Sequence, residues 1–250
     1  MLKGFWKLTW VEIKIFVREP MGVIGTLAIP VVLFVVLGKV FQGDALMGVT
    51  MPDEFVPPFN IAVFASVFIA VGAVLSLVAI MSIYREGGIL KRLRATPLSP
   101  LTILGSHVAV KLLFTALGLA ALVLAGKRLL PGLLDVPLLS FSVAVLFSTL
   151  SILSVGFVIA SLVPTARFAQ PVGSAIIYPM VAISGLFFPL AALSDGMQFF
   201  ANLLPMTHAV GLVNGVWAGG DWLLLWPHVL GLVAVFVVFS ALSAKVFRWE

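Results

Sequence analysis

Six long apolar stretches constrain this chain more than any other feature of its sequence. They cover approximately residues 21–40, 59–83, 101–126, 138–163, 168–190 and 223–244. A helix needs about 20 mostly apolar residues to cross the hydrocarbon layer of a bilayer, within a range of about 17 to 25. The third stretch meets this length when it starts near Leu101, with Ser99 as its N-cap and Pro100 as its first helical residue. The sequence therefore predicts an all-α integral membrane protein with six transmembrane helices in a single domain, 1–250.

The amino-acid composition also indicates a membrane environment. Of the 250 residues, 62% are hydrophobic and only 10% are charged, whereas a soluble domain carries about 25% charged residues. The absence of cysteine excludes disulfides, thiolate catalysis and cysteine-based metal sites. The net charge is +5, but the basic residues lie beside the spans rather than in one stripe. We therefore expect membrane lipid, and not nucleic acid, as the partner of these charges.

The distribution of lysine and arginine predicts the orientation in the membrane. If the N-terminus is cytoplasmic, the cytoplasmic side holds twelve basic residues, which are Lys3, Lys7, Lys14, Arg18, Arg85, Lys91, Arg92, Arg94, Lys111, Arg167, Lys245 and Arg248. The outer side then holds three, which are Lys39, Lys127 and Arg128. This asymmetry follows the positive-inside rule. It predicts both termini in the cytoplasm, and we expect the first span to remain as a membrane anchor.

The N-terminal segment, 1–19, has the pattern of an amphipathic helix. Its apolar residues cluster on one side of a helical wheel and are Leu2, Phe5, Trp6, Trp10, Ile13, Phe16 and Val17. An adjacent basic stripe consists of Lys3, Lys7, Lys14 and Arg18. Tryptophan beside lysine is typical of a helix that lies in the membrane interface. The alternative is a helix that packs on the cytoplasmic surface of the protein itself.

The loop between the second and third spans is the most charged part of the chain. It reads YREGGILKRLRATPLSP from Tyr84 to Pro100. Ile89, Leu90 and Leu93 form one apolar face over two helical turns, and the following proline ends the pattern. A short basic amphipathic helix of this kind fits docking to something at the membrane surface. The alternative is a positively charged loop that only sets the orientation of the protein in the membrane.

The sequence of this loop resembles the segment after the second span in permeases of type-2 ATP-binding-cassette exporters, through R-E-x-G-x-L-K-R-L-R-A-T-P-L-S-P. Arg18-Glu19-Pro20 also resembles the turn into the family's first span. The resemblance implies a coupling helix at about 86–95 that docks on a separate ATPase subunit, which binds ATP and Mg. The implied ATPase-coupling residues are Arg85, Glu86, Gly88, Ile89, Leu90, Lys91, Arg92, Leu93, Arg94, Thr96 and Pro97. It also implies a second permease copy or relative, in a homodimer or heterodimer.

The same resemblance suggests a substrate path. In the family the second and fifth spans line the route between paired subunits. The residues implied for this route are Phe64, Phe68, Gln170, Ser174, Tyr178, Phe187 and Phe188. Aromatic side chains suit a hydrophobic or amphipathic cargo, such as a drug, a natural product or a lipid-linked molecule. The alternative for each phenylalanine is ordinary packing or contact with lipid.

The segment before the sixth span contains no lysine or arginine and is too apolar for an ordinary solvated loop. Ser194-Asp195 can cap a short helix that Pro205 ends, and Thr207 can cap a second helix. Gly211, Gly215 and Gly219 then follow at spacings that let helix backbones approach closely. By resemblance, these are outer re-entrant helices at about 195–218, with the glycines as an outer gate. An amphipathic outer loop on the lipid headgroups is the alternative.

Missing motifs narrow the function. The chain has no phosphate-binding G-x-x-x-x-G-K-[ST] loop and no G-x-S-x-G, and His107, His208 and His228 lack metal-ligand spacing. The six stretches contain few ionisable residues, so the usual signature of an ion-driven transporter is missing. We therefore expect a permease without a catalytic site, metal or cofactor of its own, powered by a separate ATPase in the prokaryotic inner membrane. A self-contained channel or facilitator is the alternative, and a membrane enzyme ranks behind it.

Overall fold

The chain is helical almost throughout in the computed structural model, which describes residues 2–18, 20–41, 61–95, 100–129, 138–163, 165–186 and 190–246. The helices are α1 (Leu2–Arg18), α2 (Pro20–Val23), α3 (Ile29–Phe41), α4 (Ile61–Val67), α5 (Ser76–Glu86), α6 (Ile89–Arg94), α7 (Pro100–Leu129), α8 (Leu138–Leu162), α9 (Ala166–Ala182), α10 (Asp195–Leu203), α11 (Pro205–Trp217) and α12 (Trp226–Val246). π-helical segments, Ile24–Ala28 and Phe68–Leu75, join α2 to α3 and α4 to α5 without a break. These residues contain no β-strand, and the predicted all-α class is confirmed.

The count of six transmembrane helices stays a prediction. Within the described ranges, three helices are long and apolar enough to cross a bilayer, namely Thr102–Leu129, Leu138–Leu162 and Trp226–Lys245. The number becomes four if α10 and α11 are taken as one broken span. The first two predicted spans, 21–40 and 59–83, overlap the helical runs 20–41 and 61–86, which contain the π-helical segments. Helix α9 has 17 residues, or about 25 Å at 1.5 Å per residue, against about 30 Å of hydrocarbon.

Helix α8 forms the centre of the molecule. It packs against α5, α7, α11 and α12, and nearly all of its residues from Ser148 onward are buried. Most of its buried hydroxyls bond within the helix, as Thr149 donates to the Val145 carbonyl at 2.7 Å and Ser161 donates to the Phe157 carbonyl at 2.8 Å. The Ser148 hydroxyl is the exception and has no hydrogen-bond partner among the described residues. Small side chains of this kind let neighbouring helices approach closely in a membrane protein. The centre is therefore closely packed without charged groups.

Helix α1 packs along α7 with only part of its apolar surface. The rings of Phe16 and Phe114 are 4.0 Å apart between centroids. Trp6 and Trp10 instead remain exposed on another side of the helix. The predicted apolar side is thus divided between contact with the protein and a surface available to lipid. One side of α1 packs on the protein itself, and the exposed tryptophans could contact lipid. The location of the helix in the membrane interface stays a prediction.

Helices α10 and α11, called the bent pair below, meet at an angle of 87°. Helix α10 starts at Asp195 after Ser194, whose side chain makes no capping hydrogen bond. Helix α11 starts at Pro205 rather than after a Thr207 cap. Proline suits the first helical position because its missing N–H would have no partner there. The prediction that Thr207 caps this helix was therefore wrong. The buried Thr207 hydroxyl has no hydrogen-bond partner among the described residues.

Candidate functional site

A glycine turn separates α5 from the short helix α6. Gly88 has a φ of +68°, a left-handed conformation that glycine adopts without the steric cost of a Cβ. The carbonyl of Gly88 then accepts the first backbone bond of α6, from the Arg92 N–H at 3.1 Å. The chain thus turns sharply at the end of the 61–86 helical run and presents a separate two-turn helix.

Helix α6 has a buried residue that anchors it and exposed residues that a partner could contact. Leu90 is completely buried within the chain itself, whereas Ile89 and Arg92 are exposed. Lys91, Leu93 and Arg94 belong to the same helix, while Thr96 and Pro97 lie outside the described residues. Leu90 therefore fixes α6 to its own subunit, and Ile89 provides an apolar contact surface for a partner.

The two residues before the glycine turn differ in their surroundings. The Arg85 guanidinium donates from Nη1 to the Val163 carbonyl at 2.7 Å, which joins the end of α5 to the end of α8. Glu86 is exposed on the last turn of α5. The role of the whole segment in coupling stays a prediction.

A buried polar cluster lies beside this turn. It consists of Glu12 on α1, Tyr84 on α5 and His107 on α7, and is called the junction below. The Tyr84 hydroxyl donates to Glu12 Oε1 at 2.8 Å, and His107 Nδ1 lies 3.7 Å from Glu12 Oε2. The rings of Tyr84 and His107 meet edge to face with centroids 5.4 Å apart. Three helices distant in sequence therefore meet around one carboxyl group.

The environment of Glu12 opposes its ionisation. Its side chain is only 6% exposed, and burial raises the pKa of the carboxyl above its ordinary value. The hydrogen bond from Tyr84 and the positive charge of Lys111 act in the opposite direction, but burial has the larger effect. The junction can therefore tie α1 to the end of α5, just before the glycine turn, in a manner that depends on pH.

Sequence reasoning missed the junction. It assigned no role to Glu12, and it considered His107 only as a metal ligand without the required spacing. The available signals were a carboxylate within a mainly apolar helix, and His107 and Lys111 one turn apart on α7. The sequence alone did not show that Tyr84 would join them, because the contact between residues 12 and 84 exists only in the folded chain.

The structure does not bring the predicted substrate-path residues together on one surface. Phe68 is buried, and a Cβ added at Gly118 of α7 would lie 2.6 Å from its Cζ atom. Phe68 thus packs inside the subunit, which agrees with the alternative of ordinary packing. The rings of Phe64 and Phe34 meet edge to face with centroids 5.3 Å apart.

The polar path residues lie elsewhere, along α9. Gln170 and Tyr178 are exposed, and Ser174 lies between them and is half-buried. They share one side of α9 because they are spaced at i, i+4 and i+8. Phe187 and Phe188 lie outside the described residues. The substrate path stays a prediction.

Two of the three predicted gate glycines contact the segment that leads into α12 and its first turn. A Cβ added at Gly215 would lie 2.5 Å from Leu225 Cδ2, and one added at Gly211 would collide with the His228 ring. Gly219 is different, because α11 ends at Trp217 and Gly219 turns the chain with a φ of +80°. The predicted row of three helical glycines is therefore reduced to two, and their role as a gate stays a prediction.

Histidine rings interlock at this same contact. The His228 ring of α12 lies over Gly211 of α11, and the His208 ring of α11 lies over Gly231 of α12. The two rings have centroids 5.7 Å apart. No group of three or more potential metal-ligating side chains occurs in the ranges that the structure describes. The pair therefore acts as a packing contact between the two helices.

Comparison with known proteins places these features in a family. Residues 3–216 match the family described as ABC-2 type transporter. The chain is similar to Nodulation protein J of Bradyrhizobium diazoefficiens, with 30% identity over 131 residues, covering 52% of this chain and 48% of that protein. It is also similar to Nodulation protein J of Neorhizobium galegae, with 30% identity over 89 residues, covering 36% of this chain and 34% of that protein. The matched region thus spans about half the length of these relatives or less. Because the family match covers most of the sequence, the chain belongs to the ABC-2 type transporter family.

Proposed function

We propose that this chain is the membrane-spanning permease subunit of an ATP-driven exporter, and that α6 is the helix through which a separate ATPase subunit acts on it. The observation that carries the proposal is the exposure of α6 beyond the glycine turn, with Leu90 as its internal anchor and Ile89 facing outward. A helix that is fixed on one side and apolar on the other suits a contact that transmits force. In this arrangement α6 and both chain termini face the cytoplasm of a prokaryotic cell.

Force applied to α6 has a direct route into the membrane region. Helix α5 continues through the π-helical segment Phe68–Leu75 into α4, and α4 packs against α11 of the bent pair. π-helical segments often occur at functional sites and interrupt the regular α-helical ladder. ATP-driven closure of the ATPase tilts the 61–86 run and shifts the bent pair at its far end.

A second permease copy or relative completes the pathway. The Gln170 and Tyr178 side of α9 is exposed in the single chain, and polar side chains in contact with lipid are unfavourable. A partner subunit on this side would cover them and leave a partly polar passage between the two copies. The cargo is a hydrophobic or amphipathic molecule, of the class that includes drugs, natural products and lipid-linked molecules.

The experiment that tests the proposal is capture of the ATPase subunit by the tagged permease in native membranes. Ile89→Asp places a carboxylate on an exposed residue, so the free permease should fold and insert normally. At the docked interface the carboxylate would be buried without a partner, which is strongly unfavourable. We expect loss of ATPase capture and of cargo-stimulated ATP hydrolysis. Leu93→Asp, on the apolar face expected from the sequence, should do the same.

A transport assay separates this proposal from the channel. Vesicles that contain the permease alone should neither hydrolyse ATP nor move a fluorescent amphipathic dye, while vesicles with the ATPase should do both. Robust dye movement by the permease alone would favour the self-contained channel. Retention of capture and hydrolysis by both aspartate variants would leave α6 as an orienting loop only.

A further inference from the structure

A cavity of about 430 Å³ lies where the end of α9, the short turn at Leu190–Ala192, α11 and the start of α12 come together. Ligand pockets typically enclose about 300–1,000 Å³. The cavity is formed within one chain and does not include the exposed Gln170 and Tyr178 side of α9. It is therefore separate from the passage proposed between two subunits.

One side of the cavity is polar because of the spacing along α11. Thr207, Gly211 and Asn214 line it at i, i+4 and i+7, positions that share one face of a helix. Thr207 is 1% exposed, and its hydroxyl has no hydrogen-bond partner among the described residues. A threonine in a helix has two favourable χ1 rotamers, so this hydroxyl can turn into the cavity at small cost. His228 Nδ1, on the α12 side, is also buried without a partner in the described part of the chain.

The rest of the lining, apart from Ser184, is mainly apolar. Leu186 and Leu190 contribute aliphatic surface, and Trp217 contributes an aromatic ring. None of the described residues that line the cavity is aspartate, glutamate, lysine or arginine. An ionised ligand would therefore be desolvated there without an opposite charge, which is strongly unfavourable. The lining suits a neutral molecule with one polar end and one apolar end.

We propose that this cavity is a binding site for a neutral amphipathic molecule that bears hydroxyl or amide groups. The polar end bonds to Thr207 and Asn214, and the apolar end lies against Leu186, Leu190 and Trp217. The identification of this molecule as the cargo rests on the proposed function, for which the site names a binding position. It assigns each subunit a holding position beside the bent pair, from which the cargo leaves when the bent pair shifts.

The test is photolabelling of the full-length chain in phosphatidylcholine nanodiscs, without the ATPase. The probe is a monoacylglycerol with a diazirine in its acyl chain, which has a neutral headgroup with two hydroxyls. We expect saturable labelling of peptides from 184–190 and 205–218. Thr207→Val and Asn214→Leu should each raise the half-saturating concentration by about threefold to tenfold, the effect of losing one or two hydrogen bonds. A lysophosphatidic acid analogue, which is charged, should not compete.

Thr149→Val is the matched control, since Thr149 is an equally buried threonine on α8 that does not line the cavity. It should leave the labelling curve unchanged. Ala218→Trp at the rim should abolish saturable labelling by filling the cavity. Unaltered labelling in the Thr207, Asn214 and Ala218 variants, or labelling that never saturates, would overturn the site and indicate partition into lipid only. Because no ATP is involved, a negative result here with ATP-driven transport intact would remove the site and leave the proposed function standing.

Discussion

The two ends of the 61–86 helical run are held by different forces. At the α5 end, the junction joins α1 to α5 through a directional hydrogen bond to a buried carboxyl group, and His107 of α7 lies beside it. At the α4 end, the run packs against α11, which itself meets α12 through glycines and interlocked histidine rings. The junction depends on charge and protonation, whereas the contact of the bent pair depends on shape. The two ends should therefore respond to different perturbations, and this difference can be measured.

The largest effect is expected at the junction. Tyr84→Phe removes only the hydroxyl that donates to Glu12, at 2.8 Å. A hydrogen bond to a charged group contributes about 1.5–3 kcal/mol, and for a chain of this size each kcal/mol lowers the melting temperature by about 2–4 °C. Glu12→Ala should be similar. Thermal unfolding in nanodiscs measures the melting temperature of both variants. An unchanged melting temperature for Tyr84→Phe would show that this hydrogen bond does not stabilise the protein.

A double-mutant cycle checks that the effect comes from the pair. Tyr84→Phe combined with Glu12→Ala should be less destabilising than the sum of the single changes, because both remove the same bond. Thr9→Val and Ser82→Ala provide the control on the same two helices. Each of these hydroxyls donates at 2.9 Å to a carbonyl one turn earlier in its own helix. Their effects should add.

The next effect concerns shape at the bent pair. Gly211→Ala places a methyl group 2.4 Å from the His228 ring, and Gly231→Ala places one 2.6 Å from the His208 ring. Overpacking of this kind costs about 1–3 kcal/mol, and a rigid ring cannot yield as a flexible chain end can. We therefore expect a lower melting temperature in both variants. Gly196→Ala in α10 is the control, since a Cβ there meets no atom within 4 Å, and it should be neutral or slightly stabilising.

A smaller effect is expected in the dependence on pH at the junction. Burial raises the pKa of Glu12 above its ordinary value of 4.5, so the folded protein holds this proton at pH values where the unfolded chain has released it. The resulting stabilisation is fully present below about 4.5 and is lost as the pH rises through the raised value. Glu12→Gln should remove that loss. The difference in melting temperature, Glu12→Gln minus wild type, should therefore grow with pH over this interval, and a constant difference would contradict the burial of an ionisable carboxyl.

The sequence predicted the features that depend on local pattern. The all-α class follows from the apolar stretches, and the helix after Gly88 follows from two glycines before an amphipathic segment. The errors arose where distant contacts decide the outcome. Gly219 has the spacing of a helical row, but the chain has already turned after Trp217. The junction was invisible because no local pattern brings Glu12 to Tyr84.

The same limit applies to the aromatic residues of the predicted path. Phe68 was assigned to a passage by resemblance, and it packs on α7 because Gly118 leaves room for its ring. A single sequence contains no signal that pairs one phenylalanine with one distant glycine. Composition showed that the chain needs an apolar environment, but only the fold distinguishes an aromatic side chain in the interior from one that can meet a cargo.

The smallest effect is expected at α6, and it extends the comparison to a third surface, the exposed side of a helix that Leu90 anchors to the chain. Arg92 is exposed, so Arg92→Ala should change the free energy of unfolding by no more than about 0.5 kcal/mol. Its effect should appear only in the complex, where a charge at the rim of an interface steers association and is screened by salt. We expect weaker ATPase capture at low ionic strength and little difference from wild type at about 0.5 M salt. The measurement is capture across a salt series beside Ile89→Asp, whose defect should persist at every salt concentration because it arises from desolvation. If Arg92→Ala instead abolishes capture at high salt, the arginine is a buried anchor and Ile89 is not the centre of the contact.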